Sequence, residues 1–171
     1  ERFPDFGAVD AASARGLFGG GSQPFSTKLN LIEYITISTT GNAQDFGDLT
    51  VARGAIFGCS SNVRGVFAGG ASPSNDNTID YVTISSTGDA KDFGDLTKVA
   101  FSGSGTSNSS RGIFALGQAP SHSNIIDFIT ISTGGNSLKF GDLSQLRDQM
   151  GSCSSSTRGL FAGGLITPSP V

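Results

Sequence analysis

The heptapeptide Ile79-Asp80-Tyr81-Val82-Thr83-Ile84-Ser85 decides how this chain folds. In an extended strand Ile79, Tyr81 and Thr83 lie on one face, and Val82 and Ile84 lie on the other. Apolar groups on both faces mean that both sides of the sheet are covered, as when small sheets stack face to face around an axis. A sandwich with one wet face alternates more cleanly. The pattern Ile-acid-aromatic-Ile/Val-Thr-Ile-Ser begins at Ile32, Ile79 and Ile126, with a constant spacing of 47 residues.

Two further blocks repeat with it. Arg-Gly-apolar-Phe starts at Arg15, Arg64, Arg111 and Arg158, at intervals of 49, 47 and 47 residues. Phe-Gly-Asp-Leu starts at Phe46, Phe93 and Phe140, and Asp5-Phe6-Gly7 reads as a shortened fourth copy. The 171 residues therefore form a single repeat domain, with units of about 1–14 (partial), 15–63, 64–110, 111–157 and 158–171 (partial). Each unit reads as four short strands. In the middle of the chain these are 52–60, 64–70, 78–86 and 90–97, with β-branched and aromatic residues in the strands and Gly, Ser, Asn, Asp and Pro between them. Pro24, Pro73 and Pro120 each follow their repeat's Arg by nine residues and belong in loops. No window shows a helical apolar period, so essentially no helix is expected.

Composition removes several function classes. Eleven basic and fourteen acidic residues give a net charge of −3, and the pI is near 4.9, which argues against nucleic-acid binding. No apolar run approaches the ~20 residues that span a bilayer, and no signal-peptide core opens the chain. Its start at Glu1 rather than Met reads as a processed product, a fragment or part of something longer. The two cysteines are too few for a disulfide framework. Cys59 and Cys153 sit five residues before their Arg, on innermost strands, and are read as free buried thiols.

The chemistry-bearing motifs have structural explanations. Asp-Phe-Gly recurs with the repeat at Asp5, Asp45 and Asp92, with Lys139 in the first position of the last copy, and the other parts of a kinase are absent. The paired acids Asp45/Asp48 and Asp92/Asp95, reduced to Asp142 in the third copy, read as turn caps rather than calcium ligands. Glu33, Asp80 and Asp127 are expected to pair with Arg64, Arg111 and Arg158. His122, the only histidine, reads as a solvated loop residue without a nucleophile elbow. Asn108-Ser109-Ser110 matches a glycosylation sequon by composition alone. No catalytic residue, metal or cofactor is assigned. What varies between copies is the loop joining second and third strands, and its candidate ligand-binding residues are Gln23, Phe25, Lys28, Asn75, Asp76, Asn77, His122 and Asn124.

An apolar strand ending in Gly-Gly, a strand holding Tyr34, Tyr81 or Phe128, and then Phe46, Phe93 or Phe140 resembles the kelch repeat. Arg53 and Arg147 echo the kelch arginine, where the middle copy has Val99-Ala100, and Phe replaces the usual Trp. The stretches RGVFAGG, IDYVTISSTGDAKDFGDLT and CSSSTRGLFAGG resemble tandem repeats of structural and tail-fibre-like proteins of marine bacteriophages, cyanophages in particular. The resemblance implies an all-β fold of four-stranded, kelch-like β-propeller blades, about 3.6 in this chain. It also implies a non-enzymatic virion structural or fibre protein, located on the virion or outside the cell. Its expected partners are other copies of itself, other virion proteins and a host-surface glycan, with no nucleic acid and no membrane insertion. A purely architectural capsid or tail decoration is the alternative, and a propeller glycosidase or lyase ranks behind both.

Overall fold

The computed structural model describes residues 15–23, 27–72, 74–118 and 121–166, and all regular structure among them is β-strand. Sheet I contains β1 (Arg15–Gly19), β2 (Leu31–Thr36) and β3 (Gln44–Asp48). In sheet II, β4 (Phe57–Ser60) and β5 (Arg64–Ala68) are followed by the two-residue strands β6 (Ala71–Ser72) and β7 (Ser74–Asn75), which form a small hairpin of their own. The sheet is completed by β8 (Thr78–Thr83) and β9 (Lys91–Asp95). Sheet III contains β10 (Ser104–Ser107), β11 (Arg111–Ala115), β12 (Ile125–Thr130) and β13 (Leu138–Asp142). Sheet IV is the pair β14 (Gly151–Ser154) and β15 (Gly159–Ala162). All pairs are antiparallel and neighbours follow chain order, with no closure into a ring among the described residues. Pro24, Pro73, Pro120 and Asp5-Phe6-Gly7 lie outside the described residues.

The strands are shorter than the sequence predicts. The first strand of sheet II begins at Phe57 rather than residue 52, because Ala55 turns into the left-handed region (φ 55°). Ser102 and Gln149 repeat that conformation at φ 53° and 52°. The three are chained: Ser102 N–H donates to the Ala55 carbonyl and Gln149 N–H to the Ser102 carbonyl, each at 2.9 Å. A left-handed alanine or serine is tolerated where such bonds hold it.

The first strands of sheets II, III and IV lie side by side, β4 against β10 and β10 against β14. Their small side chains make this possible, since a Cβ on Gly105 would collide with the Gly58 carbonyl. Serine hydroxyls stitch the same row: Ser107 Oγ donates to Ser60 O (2.7 Å), Ser154 Oγ to Ser107 O (2.7 Å) and Ser152 Oγ to Gly105 O (2.6 Å). Here the Gly- and Ser-rich composition becomes architecture.

Asp-Phe-Gly also acquires a structural role. Ile79 pairs with Gly94 and Asp80 with Asp92, so Phe93 has no cross-strand partner and the ladder bulges there. Phe93 enters the core, and Gly94, at φ 143°, presses on the next sheet, where a Cβ would meet the Gly135 carbonyl carbon at 2.5 Å. Phe46 and Gly47 repeat this against Gly88. Asp92 Oδ1 accepts the Gly94 N–H at 3.1 Å, the turn-cap role its sequence suggests.

Between sheets, the third-strand acids are locked to the preceding linker. Asp80 is fully buried, with Oδ1 accepting Thr50 Oγ1 (2.6 Å) and Oδ2 accepting Thr50 N–H (3.2 Å) and Arg53 Nη2 (2.7 Å). Arg53, equally buried, also donates to the Thr78 carbonyl at 2.9 Å. At Asp127 the arginine position is Ala100, and neutral donors take over: Thr97 N–H and Oγ1, and Ser137 Oγ, all at 2.8 Å. This corrects the expected pairing with Arg64, Arg111 and Arg158. Arg64 instead stacks on Tyr81 (4.4 Å to the ring centroid) and donates to the Ile131 carbonyl of the next sheet at 2.8 Å. Arg15 stacks on Tyr34 and donates to the Ile84 carbonyl in the same way, and Arg111 lies over Phe128.

Removing one partner of a buried ion pair strands the other charge. Asp80→Ala is expected to cost about 3–5 kcal/mol, because it strips the fully buried Arg53 of its hydrogen-bonded carboxylate and leaves it only Asp76 at 3.9 Å. Asp127→Asn, which strands no cation, should cost about 1–3 kcal/mol. Urea unfolding of the two variants beside the parent chain checks the order.

Candidate functional site

The loop between second and third strands is built twice over, as a constant backbone frame and a variable display. In the frame, Leu49, Leu96 and Leu143 N–H donate to the carbonyls of Asn30, Asn77 and Asn124 at 2.6, 2.7 and 2.6 Å. Arg53 and Ala100 N–H donate to the carbonyls of Leu29 and Asp76. Asp76 Oδ1 and Ser123 Oγ cap the start of the third strand through Thr78 N–H (2.7 Å) and Ile125 N–H (3.1 Å). Asp76 Oδ1 also lies 3.9 Å from Arg53 Nη1. Asp76, Asn77 and Asn124 thus serve the frame. Phe25 lies outside the described residues, and the Gln23 N–H donates to the Thr27 carbonyl, closing the tip of the first loop.

The display consists of the remaining candidates, Lys28, Asn75 and His122, which occupy one equivalent position. Short bridges bring each opposite a second variable position: Ser22 opposite Lys28, Ala71 opposite Asn75, Gln118 opposite His122. A third variable position, on the linker to the following sheet, is Gly54, Phe101 and Asp148. Around Gly54, Lys28 Nζ donates to Ser22 Oγ at 2.9 Å. By position in the repeat the three sets are Ser22-Lys28-Gly54, Ala71-Asn75-Phe101 and Gln118-His122-Asp148, and side-chain contacts join the first and the third.

The third cluster is the most distinctive. Asp148 is buried, and its Oδ2 accepts Gln118 Nε2 at 2.7 Å and lies 3.7 Å from His122 Nδ1. Both His122 Nδ1 and Asp148 Oδ1 are buried without a hydrogen-bond partner among the described residues. His122 is thus half-buried beside a carboxylate, not solvated in a loop. Unsatisfied buried polar atoms of this kind mark a place where another group can complete the bonding. Sequence reasoning missed Asp148 and Gln118. The available signal was their departure from the repeat, since their counterparts are Gly54 and Phe101, and Ser22 and Ala71. Among the described residues no three His, Cys, Asp or Glu side chains converge as a metal-binding set.

Both cysteines are free, as expected, but neither residue is fully buried: Cys59 is half-buried beneath Gly112, whose added Cβ would approach its sulfur to 2.5 Å, and Cys153 is exposed. No family model matches the chain, and no curated protein matches it.

Burial pushes the Cys59 thiol up to about 12. At pH 8 only on the order of one molecule in ten thousand would carry the reactive thiolate. Cys59 is expected to resist a maleimide for hours in the native protein and to react within minutes in urea, as mass spectrometry of labelled peptides would show.

Proposed function

We propose that the chain is a non-enzymatic, kelch-like β-propeller segment of a virion structural or fibre protein, which attaches to a host-surface glycan through the loops of one face. The observation that carries this is the division of labour in those loops. Main-chain groups and capping side chains hold an invariant frame, while Lys28, Asn75 and His122, with Ser22, Gln118 and Asp148 beside them, change the chemistry from copy to copy. Hydroxyl, amide, imidazole and carboxylate groups suit the dense donors and acceptors of a sugar. The resemblance of the repeat wording to phage tail-fibre-like proteins supplies the setting.

The architectural alternative, a capsid or tail decoration, is favoured by a different observation. The apolar groups Phe18, Ile37, Leu138, Phe140 and Leu160 are exposed on or beside sheets I, III and IV, where a neighbouring protein would cover them.

Glycan arrays and binding to host cells separate the two. Attachment predicts specific binding that falls at least tenfold in Lys28→Ala or His122→Ala while urea unfolding is unchanged. Blank arrays and blank cells with the assembled protein would leave the architectural role.

A further inference from the structure

We propose that two copies of this chain close head to tail into one six-bladed ring, in which β14 of each copy becomes the inner strand of the other's sheet I. The first strand, β1, of that second copy takes the place of β15. This rests on the propeller architecture proposed above but not on its glycan.

Successive sheets are joined by a fixed set of bonds, and each end of the chain presents one half of that set. Phe46 and Phe93 carbonyls accept N–H groups from Gly88 and Gly135 of the next sheet at 2.7 and 2.6 Å. Asp48 and Asp95 N–H donate to Asp89 Oδ1 and Asn136 Oδ1 at 3.1 and 3.0 Å, and their carbonyls accept from Ala90 and Ser137. One repeat on, Phe140 and Asp142 offer the same groups from sheet III. One repeat back, Gly41, Asn42 and Ala43 of sheet I are their complements. Ser144 stands where Thr50 and Thr97 hold an acid, and the acid of sheet I is Glu33. Arg147 stands where Arg53 meets Asp80, but has no acid beside it among the described residues and donates instead to the Gly163 and Phe161 carbonyls at 3.1 Å. Arg111 stands where Arg15 and Arg64 reach the carbonyls of Ile84 and Ile131, and the equivalent carbonyl in sheet I belongs to Ile37.

Burial tells the same story. Phe46 and Phe93 are 2% and 5% exposed under the next sheet, whereas Phe140 is 55% exposed. Phe67 and Phe114 pack on the preceding sheet at 8% and 0%, whereas Phe18 is 58% exposed. Each bare surface is the complement of the other.

The strand exchange follows from sequence identity. The stretch Arg15-Gly16-Leu17-Phe18 repeats as Arg158-Gly159-Leu160-Phe161, so β1 can replace β15 residue for residue. By the β14–β15 register, in which Cys153 opposes Leu160, Cys153 would face Leu17 of the second copy. A groove of about 540 Å³ lies along β1 and the inner strand β4, lined by Leu17, Gly19, Phe57, Gly58 and Phe67, and it has the place of an inner strand. The sequence pattern of the strand that would fit there is specific: each described first strand of a sheet has Gly or Ser second and Ser fourth (Gly58, Ser60; Gly105, Ser107; Ser152, Ser154), and β14 carries it.

Blade number selects two copies. With β14 as the missing strand the 171 residues supply three blades. One chain closing on itself would make three, below the usual four to eight, and three chains would make nine. Two make six.

The experiment begins with the native mass of the 171-residue chain over a dilution series. Twice the 17.4 kDa chain mass is expected, and a species at the chain mass throughout would overturn the proposal. Gly141→Ala supplies a variant at the new seam. In the monomer a Cβ at Gly141 meets nothing within 4 Å, but its counterpart Gly94 is pressed against the next sheet. It should raise the dimer dissociation constant at least tenfold and leave urea unfolding of the dilute monomer unchanged; an unaltered constant refutes this seam. Leu17→Cys, bridged to Cys153 by oxidation or a short bis-maleimide, should give a covalent dimer. A bridge within one chain, or a dimer that does not bridge, overturns the strand exchange. Blank glycan arrays leave the ring standing, and a monomer leaves attachment standing.

Discussion

The buried carboxylate on the third strand is the constraint around which the stack is organised. A carboxylate removed from water must find donors for its oxygens. In sheets II and III those donors come chiefly from the linker that leaves the preceding sheet, through Thr50 and Thr97. The acid therefore fixes where one sheet stands against the next, a task that apolar packing alone performs without direction. Its surroundings vary in a compensated way. Arg53 accompanies Ala90, and Ala100 accompanies Ser137, so one donor beyond the threonine is always present. The lock persists because the number of donors persists, not because of a salt bridge.

What the sequence made legible was recurrence. Three blocks at a common spacing, two-sided apolar strands and Gly-Gly stops were enough to place four-stranded antiparallel sheets at Phe57–Asp95 and Ser104–Asp142. Recurrence does not reveal partners, however. Opposite charges suggested pairing Asp80 with Arg64, yet the arginine on that strand lies over Tyr81, while the cation for Asp80 arrives from the linker at Arg53. Nor does it reveal the sign of φ. Ala55, Ser102 and Gln149 share no side-chain chemistry, and their common left-handed turn is imposed by bonds between units. Asp148 was hidden for the opposite reason, since it matters by breaking the repeat.

The frame of the variable loops explains how one scaffold carries three unlike clusters. Because Asn30, Asn77 and Asn124 act through their carbonyls, the geometry is set largely by main-chain groups common to all residues. Ser22, Ala71 and Gln118 can then differ without moving the strands, as can Lys28, Asn75 and His122. Substitution on the display costs little stability, while substitution at Asp80 or Gly94 disturbs the stack. A recognition surface separated in this way from its support can change specificity without refolding.

The same economy makes the two ends of the stack unequal to its middle. Every interior sheet gives a phenylalanine to the sheet before it and receives one from the sheet after it, and its bulged Phe-Gly pair lies under the following loop. A sheet without a neighbour cannot do both, whatever its sequence, and repeat proteins meet this with polar caps. Among the described residues, sheet I and sheet III keep Phe18 and Phe140 exposed at positions where the interior sheets bury their counterparts, in a chain whose charged fraction is only 15%. Apolar faces of this kind are a hazard when they meet at random and a joint when they meet in register. The donors and acceptors spaced along them, repeated from sheet to sheet, supply that register.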